Sequence, residues 1–501
     1  MAELARCRSV LPALLGLAAL CVAAGCTLEP RYRAPPLPVP DQWPIPPTAT
    51  VPDATSDAAA GAASTAGAAQ AGTGAQPPAA RDVGWRDFFA DPNLQRLIAA
   101  ALSNNRDLRV AVLDIERARA QYRVARASEL PAINASGSLT REKLPPAETF
   151  TPESFTGSVY QAGVGISAYE LDLFGRVRSL SHAALQQYLA QEEARRSAQL
   201  SLIAEVANAY LTLASDRDLQ RLAQQTLQSQ EASYALAQKT HQAGTTSGLD
   251  LAQAQTTVEQ SRSDAARYEG NVAQDIDALT LLVGAPVDPS WLPQAFDVHT
   301  MGLTALPAGV PSDTLLRRPD VLEAEHTLRA ANGNIGAARA AFFPEITLTG
   351  EIGSASLQLS GLFKGGSGAW SFMPQVTLPI FHGGELRGNL AVAHADQQIA
   401  LAQYEKAIES GFREVADALA LTATLNRERT AQEALVGATN RAYDLSQQRY
   451  KAGRDSYLTV LDSQRSNYAA EQGLIATRLA EQSNRVALYQ ALGGGWREHG
   501  P

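Results

Sequence analysis

The chain of 501 residues matches itself. Laid over itself at a spacing of 213 positions, it places Asp107 on Asp320, Ala111 on Ala324, Arg126 on Arg339, Pro131 on Pro344, Ile133 on Ile346 and Gly137 on Gly350. At a spacing of 209, Arg178 falls on Arg387, Glu205-Val206-Ala207 on Glu414-Val415-Ala416, Ala243-Gly244 on Ala452-Gly453, Leu249 on Leu458, Gln255 on Gln464 and Gly284 on Gly493. The register slips only between these blocks, so a unit of roughly 190 residues occurs twice and differs mainly in one loop. Any fold for this chain must be built twice from one plan.

Each unit reads as a helix, two strands and two very long helices. Proline is absent between Pro152 and Pro286 and again between Pro379 and Pro501; inside a helix it would remove a hydrogen bond and clash with the preceding turn. The helix opening near Arg176 is expected to run to about Gln242, on the order of 100 Å at about 1.5 Å per residue. Ile203, Val206, Tyr210 and Leu213 are spaced as one helix face, and Phe412, Val415 and Leu419 are among their repeat mates. Leu461, Tyr468, Ile475 and Tyr489 form a seven-residue ladder interrupted by Gln482. Such narrow, alanine-rich seams suit helices that touch neighbours on two flanks. On the helices alone an ordinary coiled-coil dimer is an alternative. Gly244 and Gly453 stand where a helix should end, because glycine takes the left-handed conformation past the last turn. Ser247 and Ser456 are then placed to cap the next helix, and Ser247 with Asp250 has capping-box spacing.

The strands separate the alternatives. Ile133, Ala135, Gly137 and Leu139 alternate with Asn134, Ser136, Ser138 and Thr140, and Ala162, Val164, Ile166 and Ala168 alternate with mostly small or polar residues. In the second unit, Ile346, Leu348, Gly350 and Ile352 are followed by Phe372, Val376, Leu378 and Ile380. Segments of about ten residues with this alternation mark membrane-barrel strands, and a soluble two-sided hairpin, which would look similar, is the alternative. An open four-stranded sheet in lipid would leave unpaired backbone at both edges, so the barrel must close between chains. Two chains would give eight strands and a filled interior, whereas three give twelve and an opening. The expected fold is therefore mainly α with a trimeric 12-stranded transmembrane β-barrel and a long α-helical barrel.

The N-terminus has the parts of an export signal: Arg6 and Arg8, an apolar run from Val10 to Val22, then small residues up to Cys26. Ala23-Ala24-Gly25-Cys26 resembles a lipobox, with Ala23 in place of the usual leucine; a plain secretory signal is the alternative. Cys7 and Cys21 lie in the segment to be removed, which leaves Cys26 as the sole mature thiol and the expected lipid attachment point. Thr27 stands where an aspartate in lipoproteins usually signals inner-membrane retention, so the lipobox resemblance implies outer-membrane sorting. Residues 30–46 are proline-rich and 53–80 almost wholly Ala, Gly, Ser, Thr and Gln, which reads as a flexible tether. The formal net charge of −9 becomes −10 once Glu3, Arg6 and Arg8 are removed, and an acidic chain lacks the basic surface that nucleic acid requires. Aromatics at 6% favour long helices over a large globular core. The expected organisation is a signal peptide at 1–25, a lipidated tether at 26–84, a first repeat at 85–300 with its strand hairpin at 131–173, a second at 301–496 with its hairpin at 344–381, and a tail at 497–501.

Two long motifs then carry a family resemblance. Leu316-Arg317-Arg318-Pro319-Asp320-Val321 continues through Ala324-Glu325, Leu328, Ala330-Ala331 and Ile335-Gly336 to Phe343-Pro344-Glu345-Ile346. Near the end stand Tyr450-Lys451-Ala452-Gly453, Tyr457-Leu458-Thr459-Val460-Leu461-Asp462-Ser463-Gln464-Arg465 and Tyr489-Gln490-Ala491-Leu492-Gly493-Gly494-Gly495-Trp496. With the lipobox and Tyr32, these resemble the outer-membrane efflux proteins of the TolC/OprM type over nearly the whole chain outside the tether. The resemblance implies a homotrimeric duct in the outer membrane and a helical tunnel across the periplasm. It implies a mixed belt from the N-terminal segment, residues near 286–317 and the C-terminus. It also implies a periplasmic adaptor and an inner-membrane pump of the resistance-nodulation-division type, which exports drugs and other small molecules. Leu458 and Asp462 match the ring positions that constrict the closed periplasmic end, and Arg465, within the same turn, is placed to tie Asp462 down. Gln253 stands opposite Asp462 in the first unit, so the tips are chemically unequal.

Searches for other chemistry return little. No Walker A sequence, G-x-G-x-x-G, H-E-x-x-H or paired C-x-x-C occurs. Glu323-Ala324-Glu325-His326 contains the E-x-x-H of di-iron bundles without a second copy, so no metal is expected there. Arg317-Arg318 reads as an anion site or, more simply, as a solvated or helix-packing pair before a proline-started helix. The expectation is no enzyme activity, no catalytic residue and no cofactor beyond the covalent lipid. A duct for an ABC-type (type I) secretion system and a lipid-anchored structural coiled coil are the alternative functions.

Overall fold

The computed structural model describes residues 27–40, 42–43, 83–145, 154–296 and 312–499; the signal segment, Cys26 and the 53–80 stretch lie outside the described residues. The elements in order are α1 (Trp85–Phe88), α2 (Pro92–Asn104), α3 (Arg106–Ala127), β1 (Ile133–Leu144), β2 (Phe155–Glu170), α4 (Arg176–Gln242), α5 (Gly248–Val283), α6 (Pro319–Ala340), β3 (Glu345–Ser356), β4 (Gly368–Thr377), α7 (Glu385–Lys451) and α8 (Tyr457–Ala491). From α3 onward the order helix, strand, strand, long helix, long helix occurs twice. α4 and α7 each hold 67 residues, about 100 Å of continuous helix. Among the described residues no helix is long and apolar enough to cross a membrane.

The chain divides into two compact units. The first comprises residues 113–192, 323–405 and the N-terminal segment up to Pro36, and it holds the sheet. Its strands pair antiparallel in the order β1-β2-β3-β4, leaving β1 and β4 as edges. The register sorts the side chains onto two faces. Ile133, Ile166 and Gly350 lie across from one another, as do Ala135, Val164, Ile352 and Trp370. On the opposite face Asn134 adjoins Gly165, Glu351 and Ser371, and Ser136 adjoins Gly163, Gly353 and Ala369. The apolar face is uncovered in the single chain: Ile133, Ile352, Trp370 and Val376 are all exposed, Trp370 by 80%. Between Ile166 and Tyr169 the register shifts at a bulge where Ala168 takes φ 51° and donates its N–H to Thr349 Oγ1 (3.1 Å). The strand then turns into α4 through the Glu170–Arg176 ion pair (Nε–Oε1 2.9 Å).

One expectation fails here. The start of the tether is not free of packing: Tyr32 donates to Glu325 Oε1 (2.8 Å), Arg329 lies over its ring, and Glu29 meets His182 Nδ1 at 2.9 Å. In the second unit Trp43 is buried and stacks on Phe412 (4.5 Å). Aromatic and charged residues among the prolines supply the contacts that a Gly/Ser linker lacks.

The second unit comprises residues 37–112, 193–322 and 406–501. Here α4 departs from a narrow seam. Leu202, Ile203, Val206, Ala207, Tyr210, Leu211 and Leu213 are all buried in one cluster with Phe88, Phe89, Leu97, Ile98, Leu279 and Tyr489. Phe88 stacks on Tyr489 at 3.9 Å, and Tyr210 donates to Asp91 Oδ2 (2.8 Å), whose other oxygen caps α2 through Asn93 N–H (2.8 Å). Trp85 N–H bonds to the Arg497 carbonyl and Arg86 N–H to that of Glu498, so α1 is tied to residues 497–498.

Candidate functional site at the helical tips

The second unit holds two helix-turn-helix tips with one backbone plan. Gly244 and Gly453 take φ 74° and 69°. At each, the glycine N–H bonds back three residues (to His241, 2.9 Å, and Tyr450, 2.8 Å) and the next N–H bonds back five (to Thr240 and Arg449, both 2.9 Å). These are left-handed Schellman turns, and the αL position is what calls for glycine.

Side chains divide the tips. At the first, the Thr240 carbonyl accepts from Thr245 Oγ1 (2.9 Å), Thr246 Oγ1 donates to Thr240 Oγ1 (2.7 Å), and His241 Nδ1 bonds to the Thr246 carbonyl (2.8 Å). Ser247 then closes a full capping box with Asp250: Asp250 N–H donates to Ser247 Oγ (3.1 Å) and Ser247 N–H to Asp250 Oδ2 (3.4 Å). At the second tip Ser456 occupies the capping position, but its side chain takes no backbone donor and meets Thr459 Oγ1 instead (3.3 Å). The capping expected of Ser456 is therefore absent, because Thr459 stands where Asp250 completes the box. That turn is spanned by a two-pronged ion pair, Arg449 Nε to Asp455 Oδ2 (2.6 Å) and Arg449 Nη2 to Asp455 Oδ1 (2.9 Å), with Tyr450 and Tyr457 in contact at 5.4 Å. The Arg449 guanidinium holds the Asp455 carboxyl below the usual carboxylate range.

Leu458, Asp462 and Arg465 follow on α8. Val460, Leu461 and Gln464 face inward, while Leu458 (54% exposed), Asp462 and Arg465 form an uncovered stripe at i, i+4 and i+7. An apolar side chain at the head of that stripe is half in water. Among the described residues no ion pair joins Arg465 to Asp462; Arg465 borders a cavity of about 230 Å³ with Gln260, Asp264 and Tyr468. At that cavity Tyr468 donates to Asp264 Oδ2 (3.4 Å), and further along the helices Gln472 Nε2 donates to Tyr268 Oη (3.1 Å), so α5 and α8 meet there through polar groups. Leu249, the repeat mate of Leu458, is likewise exposed (67%).

Side chains of both motifs have partners within the fold. Glu325 binds Tyr32 and Arg329, and His326 Nδ1 bonds to Gln186 Oε1 (2.7 Å); among the described residues no cluster suits a metal. Arg318 is buried, forked onto Asp320 (3.0 and 2.7 Å), paired with Glu414 (2.9 Å) and bonded to the Ala491 carbonyl (2.6 Å), which is the packing role.

Sequence reading missed a carboxyl pair between α4 and α5. Burial and the charge of Asp216 push Asp275 up to about 6, and burial raises Asp216 as well. At a spacing of 209 the mates of Asp216 and Asp275 are Leu425 and Asn484. Applying the repeat spacing to charged residues would have exposed that contrast.

The outer membrane efflux protein family model matches residues 97–285 and 310–494. The antibiotic efflux pump outer membrane protein ArpC of Pseudomonas putida is 46% identical over 477 residues, 95% of this chain and 94% of that one. The toluene efflux pump outer membrane protein TtgC of the same species matches with the same identity and coverage. Among solved structures, the open state of the Neisseria gonorrhoeae MtrE outer membrane channel is similar at a TM-score of 0.80 and 37% identity, covering 95% of this chain and 100% of its own.

Proposed function

The chain belongs to the outer membrane efflux protein family, and on that premise we propose that it is the passive, homotrimeric outer-membrane duct of a tripartite efflux pump. It is built as two copies of one unit, residues 85–300 and 301–496, and anchored by lipid on Cys26. Three chains supply twelve strands to one barrel in the outer membrane, and the long helices form a tunnel below it. A periplasmic adaptor and an inner-membrane resistance-nodulation-division pump deliver drugs and other small molecules. The antibiotic and toluene pumps of its relatives support that cargo class. The chain performs no catalysis and needs no cofactor.

The observation that carries the reading is the sheet. Among the described residues its two edges have no partner, and one face is apolar and uncovered. In lipid each unpaired edge group costs several kcal/mol. Closure on two further copies removes both edges and turns the apolar face to hydrocarbon, the polar one to water. The exposed stripe Leu458–Asp462–Arg465 is the gate at the periplasmic tip: three leucines narrow and dry the path above three carboxylates. Native mass spectrometry of the mature protein in detergent should give three copies, each with an acylated N-terminus. A stable monomer defeats the barrel, and an unmodified chain defeats the anchor alone.

A further inference from the structure

We propose that Glu351 sets the charge selectivity of the duct's membrane-spanning segment, one carboxylate from each of three chains lying flat against the inner wall. This rests on the trimeric-barrel reading above. The four strands hold few charges, and nearly all stand at strand ends: Arg141, Glu142 and Lys143 close β1, Glu170 ends β2, Glu345 begins β3, and β4 has none. Glu351 alone stands in the middle of a strand. An ionised carboxylate at that depth is tolerated only where it faces water. The register puts it there, between Gly165 and Ser371 and on the side of Ser136, away from Ile352 and Trp370.

Its side chain does not project freely. Ser136 Oγ, two strands away on β1, donates to Glu351 Oε1 at 2.8 Å, so the carboxylate reaches over the intervening β2. Gly163 makes the crossing possible: a Cβ there would stand 2.5 Å from Oε1 and 3.0 Å from Cγ. A Cβ at Gly165 would stand 2.9 Å from Glu351 Cα and 3.0 Å from its Cβ. These glycines serve by leaving room, since neither has a left-handed backbone. One serine donor occupies one of about four acceptor sites of a carboxylate, which leaves the rest for passing cations. Among the described residues no lysine or arginine pairs with it. The hollow beside it, about 180 Å³, is bordered by Gln161 and Ser371, neutral polar groups that leave the charge uncompensated.

Three such charges on the wall of a wide lumen act through their field, whose reach is set by salt. The screening length is about 30 Å at 0.01 M and about 3 Å at 1 M. The duct should therefore favour cations in dilute salt and lose that preference in concentrated salt.

The test is the reversal potential in planar bilayers under a dilute potassium chloride gradient. The parent is the Leu458→Ala/Asp462→Ala duct, which opens the proposed gate and removes the other acidic ring. Glu351→Gln keeps the acceptor for Ser136 and so is expected to assemble; it should cut the cation-favouring potential by more than about half. Glu351→Asp should retain it and Glu351→Lys should reverse its sign. Equal potentials for Glu, Gln and Lys at unchanged conductance overturn the proposal while leaving the duct intact. A parent that forms no conducting assembly overturns the duct reading itself, and the proposal with it.

Discussion

At the first tip, positions 240 and 246 are two threonines joined by a hydroxyl hydrogen bond; at the second, the matching positions 449 and 455 are an arginine and an aspartate joined by charge. The backbone turn is the same in both. The first tip is locked by short neutral contacts and a complete capping box, which salt barely touches. The second has lost the box and relies on an ion pair whose arginine is open to solvent, which salt weakens. The contrast continues up the helices, where Asp216 and Asp275 in the first pair answer to Leu425 and Asn484 in the second. There the second pair is the settled one: Asn484 is buried and donates to the Ala418 carbonyl and to Thr422 Oγ1, both at 2.9 Å. The second pair is thus held by charge at its end and by neutral hydrogen bonds along its shaft.

The largest expected effect separates the tips by conductance. Replacing Leu458 and Asp462 by alanine should raise conductance in planar bilayers by roughly an order of magnitude, because the apolar plug and the charge ring go together. The matching double change at Leu249 and Gln253 should leave it near the parent value. Equal rises would erase the functional difference between the tips.

A smaller effect sharpens the capping contrast. Ser247→Ala should cost the first turn of α5 about 1 kcal/mol, whereas Ser456→Ala should cost α8 only a few tenths. Amide exchange in those two turns reads both. Limited trypsin digestion adds a second comparison, since Arg449, Lys451 and Arg454 surround the second turn and Lys239 precedes the first. Raising salt to about 1 M should speed cutting at 449–454 and leave 239 unchanged. The same loosening is expected in acid: a carboxyl held low, as Asp455 is, contributes stability above its ordinary pKa and loses it as pH falls through the depressed value. Identical responses at both tips would dissolve the distinction.

The smallest effect is in the shafts. Asp275, raised to about 6, binds its proton more tightly folded than unfolded. Its penalty is absent below about pH 4 and fully present above about pH 6, so stability falls as pH climbs between them. Asp275→Asn should flatten that slope in thermal unfolding and stabilise the protein at neutral pH by less than ~1 kcal/mol, the pair being partly screened by solvent. A parent whose stability is level from pH 4 to 7 would show that the two carboxyls do not couple.

Much of this was legible in the chain itself. Proline spacing delimits α4, whose observed span of Arg176–Gln242 matches the expected one, because helix breaking is a local property. The glycines of both turns were legible for the same reason. Ser456 was misread although Thr459 was in plain view, since capping depends on a reciprocal partner and not on the serine alone. Contacts between residues far apart in sequence were hidden: Ser136 with Glu351, Asp216 with Asp275, and the cluster that gives α4 a broad core at 202–213. Their residues acquire meaning only once the fold brings them together. Cys26 and the gate state depend on processing and on neighbouring copies, which one chain does not contain.

The bulge at Ala168 bears on which sequence changes this protein can accept over evolutionary time. Alternation along a strand has a period of two, so inserting one residue within β1 would exchange the faces beyond it and put the serines of that strand on the apolar side. Inserting two would preserve the phase. The bulge absorbs its odd residue after Ile166 and restores Tyr169 to the face of Leu348. Length variation should therefore be confined to even steps within the strands, with odd ones surviving only in the turns or at a bulge.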